Sequence, residues 1–450
     1  MRRADAMALM GVLAVLLAAC TRGGPNQTVP APRIEVTAAW GGTQPGSEQD
    51  RFMRVLDEFT RQTGVVVHYT TIPGPQMEST LNDRVNHNSV PDVALLPQPG
   101  LLRDYACRGL LKPLPPGVQQ AVTDNYTDER RAPGMIGKQL YGVWFKAANK
   151  SLIWYNAPVL QRAGIGPPPS TWPELLDTAN KIAASGVTPL SVAGAPDDAW
   201  VLTDWFENVY LRTAGPDLYD RLAEQESPRL PWTDPSVTTA LERLAELWAH
   251  QPSLIVGATE GALNTTYPQS VANVFTDKSA AMVFEGDFVA ALIPHTESTT
   301  LGKEAQFFPF PSIDNAPDSV IAAGDVAVMM KDNPGARQLL TFLATPAAAE
   351  IWASQGGFIS PNKNVPVDVY PDDKVTRPSA RAWADATVVR FDLSDQLPTN
   401  LGSNPRAGLW KELWNFLQNP ADIADFGTRM EAAATLNPPS CVPAANTPGN

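Results

Sequence analysis

"RIEVTAAWGGTQPGSEQDRFMRVLDEFTRQTGVVVHYTTI", residues 33–72, contains a strand, a turn, a helix and a second strand in order. RIEVTAAW (33–40) reads as extended chain and runs into the Gly-rich turn GGTQPG. A helix starts at Ser47, with Asp50 three residues on as a capping pair, and Gly64 ends it. Phe52, Val55, Leu56 and Phe59 recur at helical spacing and predict its buried stripe. VVVHYTTI (65–72) is the next strand. A helix near 76–86 and the buried strand in PDVALLPQPG (91–100) follow. This β-α-β-α-β order predicts a parallel sheet with helices on both faces. Such sheets bind ligands at the carboxyl ends of their strands. Those ends carry Trp40-Gly41-Gly42 and Gln98-Pro99-Gly100.

Working outward, 450 residues predict two domains of ordinary size. QLYGVWFKAANKSLIWYN (139–156) holds two extended runs, and the Pro-rich GIGPPPSTW (164–172) leads to a helix capped by Ser170 or Thr171. After the strand VTPLSV (187–192) comes AWVLTDWFENVYLRTAGPDLYD (199–220). On a helical wheel Val201, Leu202, Trp205, Phe206, Val209 and Tyr210 form a core face. The opposite arc holds Trp200, Thr203, Asp204, Glu207 and Asn208. It reads either as a solvated face with one partly exposed ring or as a sugar-stacking platform beside carboxylates. A helix over 236–250, a strand in SAAMVFEGD (279–287) and a strand in VIAAGDVAVMMK (320–331), interrupted by Gly324, come next. Two helices broken near Pro346 follow. The whole predicts two α/β lobes with the chain crossing between them more than once.

Net charge is −13, and no basic run occurs outside the first three residues. Nucleic acid and anionic membrane surfaces are therefore poor partners. The first twenty residues, MRRADAMALMGVLAVLLAAC, read as a secretory signal: two arginines, a short apolar run, then small residues. Leu17-Ala18-Ala19-Cys20 resembles a bacterial lipobox, which makes 1–19 the signal peptide and Cys20 a lipid-modified first residue. Residues 20–32 form a Gly/Pro-rich tether. Cys107 and Cys441 are the remaining thiols, and in an exported chain they point to a disulfide, provided their geometry permits it.

The usual catalytic equipment is missing. His68, His87, His250 and His295 lie at no zinc-ligand spacing, and no phosphate loop, G-x-S-x-G elbow or dinucleotide fingerprint occurs. No metal or cofactor is expected. Paired carboxylates remain, with Glu285 and Asp287 best placed for glycosidase chemistry. A sugar-binding site fits the composition better, because rings stack on C–H faces while carboxylates, amides and cations take hydroxyls. The candidates at strand ends and adjoining turns are Trp40, Gln98, Lys146, Trp200, Glu285, Gly286, Asp287, Phe288, Gly324 and Asp325. Two late segments add Phe358, Asn362, Arg390, Asp392 and Asp395.

Four ordered segments carry a family resemblance: FTRQTGVVV (59–67), LYGVWFKAANKSLIWYNAPVLQRAGIGPPPSTWPELLDTANKI (140–182), FTDKSAAMVFEGDFV (275–289) and AAGDVAVMMKDNP (322–334). The chain resembles the extracellular solute-binding proteins of carbohydrate ABC importers over nearly all of its length after the tether. WVLTDWFENVYLRTAGPDLYD (200–220), GGFISPNKNVPVDVYPDD (356–373) and VRFDLSDQLP (389–398) are similar to the α-glucoside-binding branch. The resemblance implies two α/β lobes, each a mostly parallel sheet flanked by helices, that close on a hinge over a sugar. It places lobe one at 33–147 plus 307–347, lobe two at 148–306 plus 348–436, and a tail at 437–450. It implies cleft residues Trp40 and Glu48 from the first lobe and Asp197, Asp198 and Trp200 from the second, to which the polar arc adds Asp204 as a candidate. The Glu285-Gly286-Asp287 turn and the Arg390-Phe391-Asp392 segment complete the set. Val201-Leu202 stands where relatives often have a Pro, and AAGDV replaces a fuller Gly run. The implied protein is a lipid-anchored monomer on the outer face of the cell membrane, not an enzyme. It hands an α-linked di- or oligosaccharide to a permease served by a separate ATPase. A lipoprotein glycosidase using Glu285 and a solute sensor of the same fold are the alternatives.

Overall fold

The computed structural model describes residues 31–437 apart from 43, 225–228, 251–252, 295 and 297–298. The expected signal peptide, Cys20 and Cys441 lie outside the described residues. Cys107, at the end of the Pro99–Cys107 helix, is disulfide-bonded. Among the described residues no helix is long and apolar enough to cross a membrane.

Local signals in the opening stretch act as expected. The Ser47 hydroxyl accepts the Asp50 N–H at 3.2 Å and caps the Glu48–Thr63 helix. Such a cap stabilises a helix by about 1 kcal/mol. Gly64 ends it at φ 72, a left-handed conformation that glycine adopts without a Cβ penalty, and its N–H returns to the Thr60 carbonyl. Phe52, Val55, Leu56 and Phe59 are fully buried against the first sheet. Thr171 and Glu174 make a reciprocal capping box on Trp172–Ala184.

Two sheets organise the lobes. In the first, the order is Val388–Phe391, Ser319–Met329, Val93–Leu96, Arg33–Ala38, Val66–Thr71, and Gly142–Asn149 pairs with the other side of Ser319–Met329. Arg33–Ala38 is parallel to both of its neighbours, as the opening pattern requires. Ser319–Met329 runs antiparallel to Val93–Leu96 and to Gly142–Asn149. The second sheet, Ala305–Pro309, Leu152–Asn156, Ala280–Phe284, Thr188–Ser191, has a parallel pair only between the last two. The first sheet is mostly parallel as expected, with three of its five pairs parallel, while the second is mainly antiparallel, so both are mixed. Strands that arrive from the other lobe run against those built by local β-α-β steps.

The chain passes between the sheets three times: at Asn149-Lys150-Ser151, between Pro309 and Ser319, and at Asp392. Two segments sit differently from the expected lobe boundaries. Ala305–Pro309 belongs to the second sheet, and most of 348–391 packs on the first, though Val375 joins the second-sheet core. Trp352 and Phe358 share a core with Trp40, while Val388–Phe391 pairs in parallel with Ser319–Ala322. An apolar alternation identifies a strand but not the distant strand that completes its ladder.

Candidate functional site

A cavity of about 800 Å³ lies between the lobes. Gln98, just past the strand Val93–Leu96, and Lys146, Gly324 and Asp325 form its first-lobe wall. Asp197, Trp200, Phe288 and Trp410 form the opposite wall. Lys150, Asp392 and Asp395, from the first and third crossings, lie between the two walls.

Gly324 explains how the first wall is shaped. It sits mid-strand at φ 141, and a Cβ there would collide with the Lys146 carbonyl oxygen. The two backbones thus approach closely enough to place Lys146 and Asp325 side by side, next to a register shift in the ladder. The Lys146 ammonium lies 2.7 Å from Glu48 Oε1 and within 5.7 Å of the Trp40 and Trp352 ring centres. Burial opposes its charge, but Glu48 and Asp325 outweigh burial and raise its pKa above the usual lysine value. Burial pushes the Asp325 carboxyl up to about 6, against the pull of Lys146. Trp40 Nε1 donates to Asp325 Oδ2 at 3.2 Å.

On the opposite wall the Trp200 ring is half-buried and meets Tyr267 edge-on at 5.1 Å, with Phe288 at 6.1 Å. The Lys150 ammonium stands 5.2 Å from the Trp200 ring centre. It donates to Asp204 Oδ1 at 3.0 Å and to Asp392 Oδ2 at 2.7 Å. Burial disfavours this charge too, yet Asp204 and Asp392 hold its pKa well above the ordinary lysine value. Oxygens of Asp204, Glu207 and Asp392 lie within 4.8 Å of one another. Such a group resembles a cation site, and the Lys150 ammonium is the cation it serves.

The polar arc of the Trp200–Ala214 helix is not the solvated face that was one of its two readings; only Trp200 reaches the cavity. Thr203, Asp204, Glu207 and Asn208 are fully buried, facing neither solvent nor ligand. Asn208 Nδ2 donates to the Lys150 carbonyl at the first crossing, and Arg212, one turn on, donates to the Ser319 carbonyl at the second. Glu207 accepts the Leu393 and Ser394 N–H groups at the third, at 2.7 and 3.0 Å. One helix face therefore holds all three crossings.

Of the sequence candidates, the cavity gathers Gln98, Lys146, Asp197, Trp200, Phe288, Gly324, Asp325, Asp392 and Asp395. Others stand one layer behind it: Glu48 on Lys146, Trp40 on Asp325 and Asp204 on Lys150. Glu285 is fully buried, with its Oε2 accepting the Gly286 N–H, and the Gly286 carbonyl accepts Trp154 Nε1. Burial pushes the Asp287 carboxyl up to about 6 while Lys146 and the Asn149 and Phe288 backbones hold it down. Asp198 is absent from the wall. Phe358 stacks on Trp352 in the first-lobe core, and Asn362 donates to the Ala344 carbonyl. Arg390 pairs with Asp220 at 2.6 Å and lines a separate cavity of about 340 Å³.

Sequence reasoning missed Lys150 and Trp410. Lys150 sits at the break between two extended runs, which is the mark of a chain changing lobes. Trp410 lies beside the core arc of Leu409, Leu413, Phe416 and Leu417, the same signal that singled out Trp200. Rings, carboxylates and two ammonium groups gathered around one cavity suit a compact, hydroxyl-rich solute.

The family model of the bacterial extracellular solute-binding proteins matches residues 45–350. The chain is similar to the osmoprotective compounds-binding protein GgtB of Synechocystis sp., 33% identical over 398 residues, which covers 86% of this chain and 90% of that protein. It is similar to the alpha-glucosides-binding periplasmic protein AglE of Rhizobium meliloti, 32% identical over 394 residues, covering 84% and 83%. Among solved structures, a chitin oligosaccharide binding protein superposes with a TM-score of 0.73 at 17% identity, covering 90% of this chain and 99% of that one. The solute receptor AcbH superposes at 0.71 and 21% identity, covering 90% and 98%. At these identities the structural likeness is one of fold.

Proposed function

The chain belongs to the bacterial extracellular solute-binding proteins, and from that premise we propose that it captures a neutral glycoside of α-glucoside type between its lobes and delivers it to an ABC permease. It is a binding protein, not an enzyme. The observation that carries the sugar reading is the interlobe cavity, where Trp200 and Trp410 on one wall stand opposite Lys146 and Asp325, with Lys150, Asp392 and Asp395 between them. Its size of about 800 Å³ suits a di- or small oligosaccharide rather than an amino acid. The names of the two relatives, one for osmoprotective compounds and one for α-glucosides, meet in sugars that serve as both, such as trehalose and sucrose.

In this reading the crossings act as the hinge, and the sugar favours the closed form through contacts to both walls. Energy for transport comes from a separate cytoplasmic ATPase, and a lipid on Cys20 keeps the monomer at the outer face of the membrane. Cys441 is the proposed partner of Cys107. Two lobes exchange segments as the sheets do, with 348–391 moving with the first. The Glu285 glycosidase alternative finds no support, because that carboxyl is fully buried.

A thermal-shift panel of trehalose, sucrose, maltose, longer α-glucans, glycine betaine and amino acids tests the reading. At a hundred times its dissociation constant a true ligand stabilises the fold by roughly 2.7 kcal/mol. A shift with one or a few α-glucosides, recovered intact, is the expected outcome. A shift with betaine or amino acids and none with sugars overturns it.

A further inference from the structure

A smaller cavity of about 260 Å³ adjoins the second-lobe wall of the interlobe one. Pro196, Ala199, Pro405, Arg406, Lys411 and Trp414 line it, all from the second lobe. Pro405 borders both cavities. Ala199 precedes Trp200, and Trp414 stands one turn beyond Trp410 on the Gly408–Gln418 helix. A ligand lying against Trp200 and Trp410 therefore reaches this annex past Pro405.

The annex is charged differently from the cavity it extends. There, Lys146 is paired with Glu48, and Lys150 with Asp204 and Asp392. No carboxylate lines the annex, and Asp197, beside Pro196, borders the larger cavity instead. Among the described residues Arg406 and Lys411 form no ion pair. The Lys411 ammonium stands 3.7 Å from the Trp414 ring centre, which holds it at the cavity without neutralising it. Arg406 is exposed, and its backbone N–H rather than its guanidinium donates to Asn404 Oδ1. Two like charges on one small cavity repel, and an anion between them turns that repulsion into attraction.

We propose that the annex binds an anionic group, a carboxylate or a phosphate ester, carried by a glycoside seated in the larger cavity. The inference rests on the sugar reading and extends it from neutral glycosides to charged ones. The Arg406 guanidinium offers a planar fork that takes two anionic oxygens, and the Lys411 ammonium adds a point charge. The net charge of −13 opposes any anion, but it is spread over the whole chain and screened beyond about 8 Å at physiological salt. Arg406 and Lys411 act in contact, inside that distance. Because one lobe supplies the entire annex, it exists before the lobes close and holds the charged end of the ligand first.

Calorimetry on the mature chain with maltose, maltobionate and maltose 1-phosphate tests the annex, because the three disaccharides differ only in what the reducing end carries. At low salt at least one charged form should bind about tenfold or more tightly than maltose. Raising the salt should shrink that advantage. Arg406→Gln combined with Lys411→Met should abolish it, whereas Lys411→Arg, which keeps the charge, should retain it. Charged sugars that bind no better than maltose, or an advantage that survives the double variant, overturn the annex and leave the sugar reading standing. Failure of every sugar to bind, charged or neutral, overturns both.

Discussion

Lys146 and Lys150 stand four residues apart, both border the cavity and both pair with carboxylates, yet they are held by different physics. The partner of Lys146 is Glu48, whose side chain is 47% exposed. The partners of Lys150 are Asp204 and Asp392, at 0% and 1%. Water screens the first pair, so its ammonium can leave Glu48 for a ligand at little cost. No water replaces the second pair, so removing one partner strands the others in a medium that solvates charge poorly. Lys146 rides on a first-lobe strand, whereas Lys150 sits where the chain changes lobes. The first lysine serves the wall of the cavity; the second serves the hinge and the cavity together.

The largest expected effect follows from that contrast. Lys150→Met leaves Asp204 and Asp392 buried without their cation and destabilises the fold by about 3–5 kcal/mol. Lys146→Met, measured by the same urea titration, costs less, because Glu48 stays in water and only Asp325 loses a cation from a buried position. Equal losses for the two variants break the comparison.

Next in size is a binding effect. Trp200→Ala removes the ring that Lys150 faces at 5.2 Å and takes one stacking surface from the cavity. Calorimetry with the best sugar of the panel should show affinity lower by about 1–3 kcal/mol, roughly 5- to 150-fold. An unchanged affinity removes Trp200 from the site and leaves Trp410 as the ring to test.

A smaller effect separates the two lysines by pH. Glu285 and Asp395 have pKa values raised by burial, to about 7 and about 8. Groups raised in the folded state keep their proton there, so stability is full at low pH and is lost as pH rises through those values. Asp392 has the opposite sign: Lys150, against burial, lowers it, and its contribution is lost on the acid side. The ligand-free chain should therefore lose stability steadily as pH rises from 6 through about 7 and about 8. Denaturation curves across that range check it, and a midpoint that rises with pH reverses the assignment.

What the sequence revealed follows the range of the interactions concerned. Ser47 with Asp50, Gly64 and the Thr171–Glu174 box act within one helical turn, and all were legible. Gln98 and Trp200 could be singled out because a strand end and an off-core ring announce themselves locally, whereas Gly324 and Asp325 reach the cavity from the middle of Ser319–Met329. The second role of the Trp200–Ala214 helix was not. A wheel separates two arcs, but only the tertiary structure shows that the polar arc packs against three chain crossings. The mixed sheets and the placement of 348–391 were hidden for the same reason, because a strand's partner can lie hundreds of residues away. Lys150 carries no local signal of its partners, since nothing near it in sequence tells that Asp392 lies 242 residues downstream.

The smallest prediction probes the wall lysine alone. Glu48→Gln keeps the shape of the side chain and removes the charge that faces Lys146 at 2.7 Å. With Glu48 nearly half in water, the pair is worth about 0–1 kcal/mol and weakens further with salt. Lys146 does not lose its only anion, because Asp325 also raises its pKa and lies on the neighbouring strand. The variant should therefore denature within about 1 kcal/mol of wild type, and a double-mutant cycle with Lys146→Met should give a coupling energy of the same small size. The coupling should shrink when salt is raised, whereas the Lys150 loss should not, because buried charges are screened far less. A Glu48–Lys146 coupling of 3 kcal/mol or more, unmoved by salt, would place both lysines in one buried network and erase the distinction between wall and hinge.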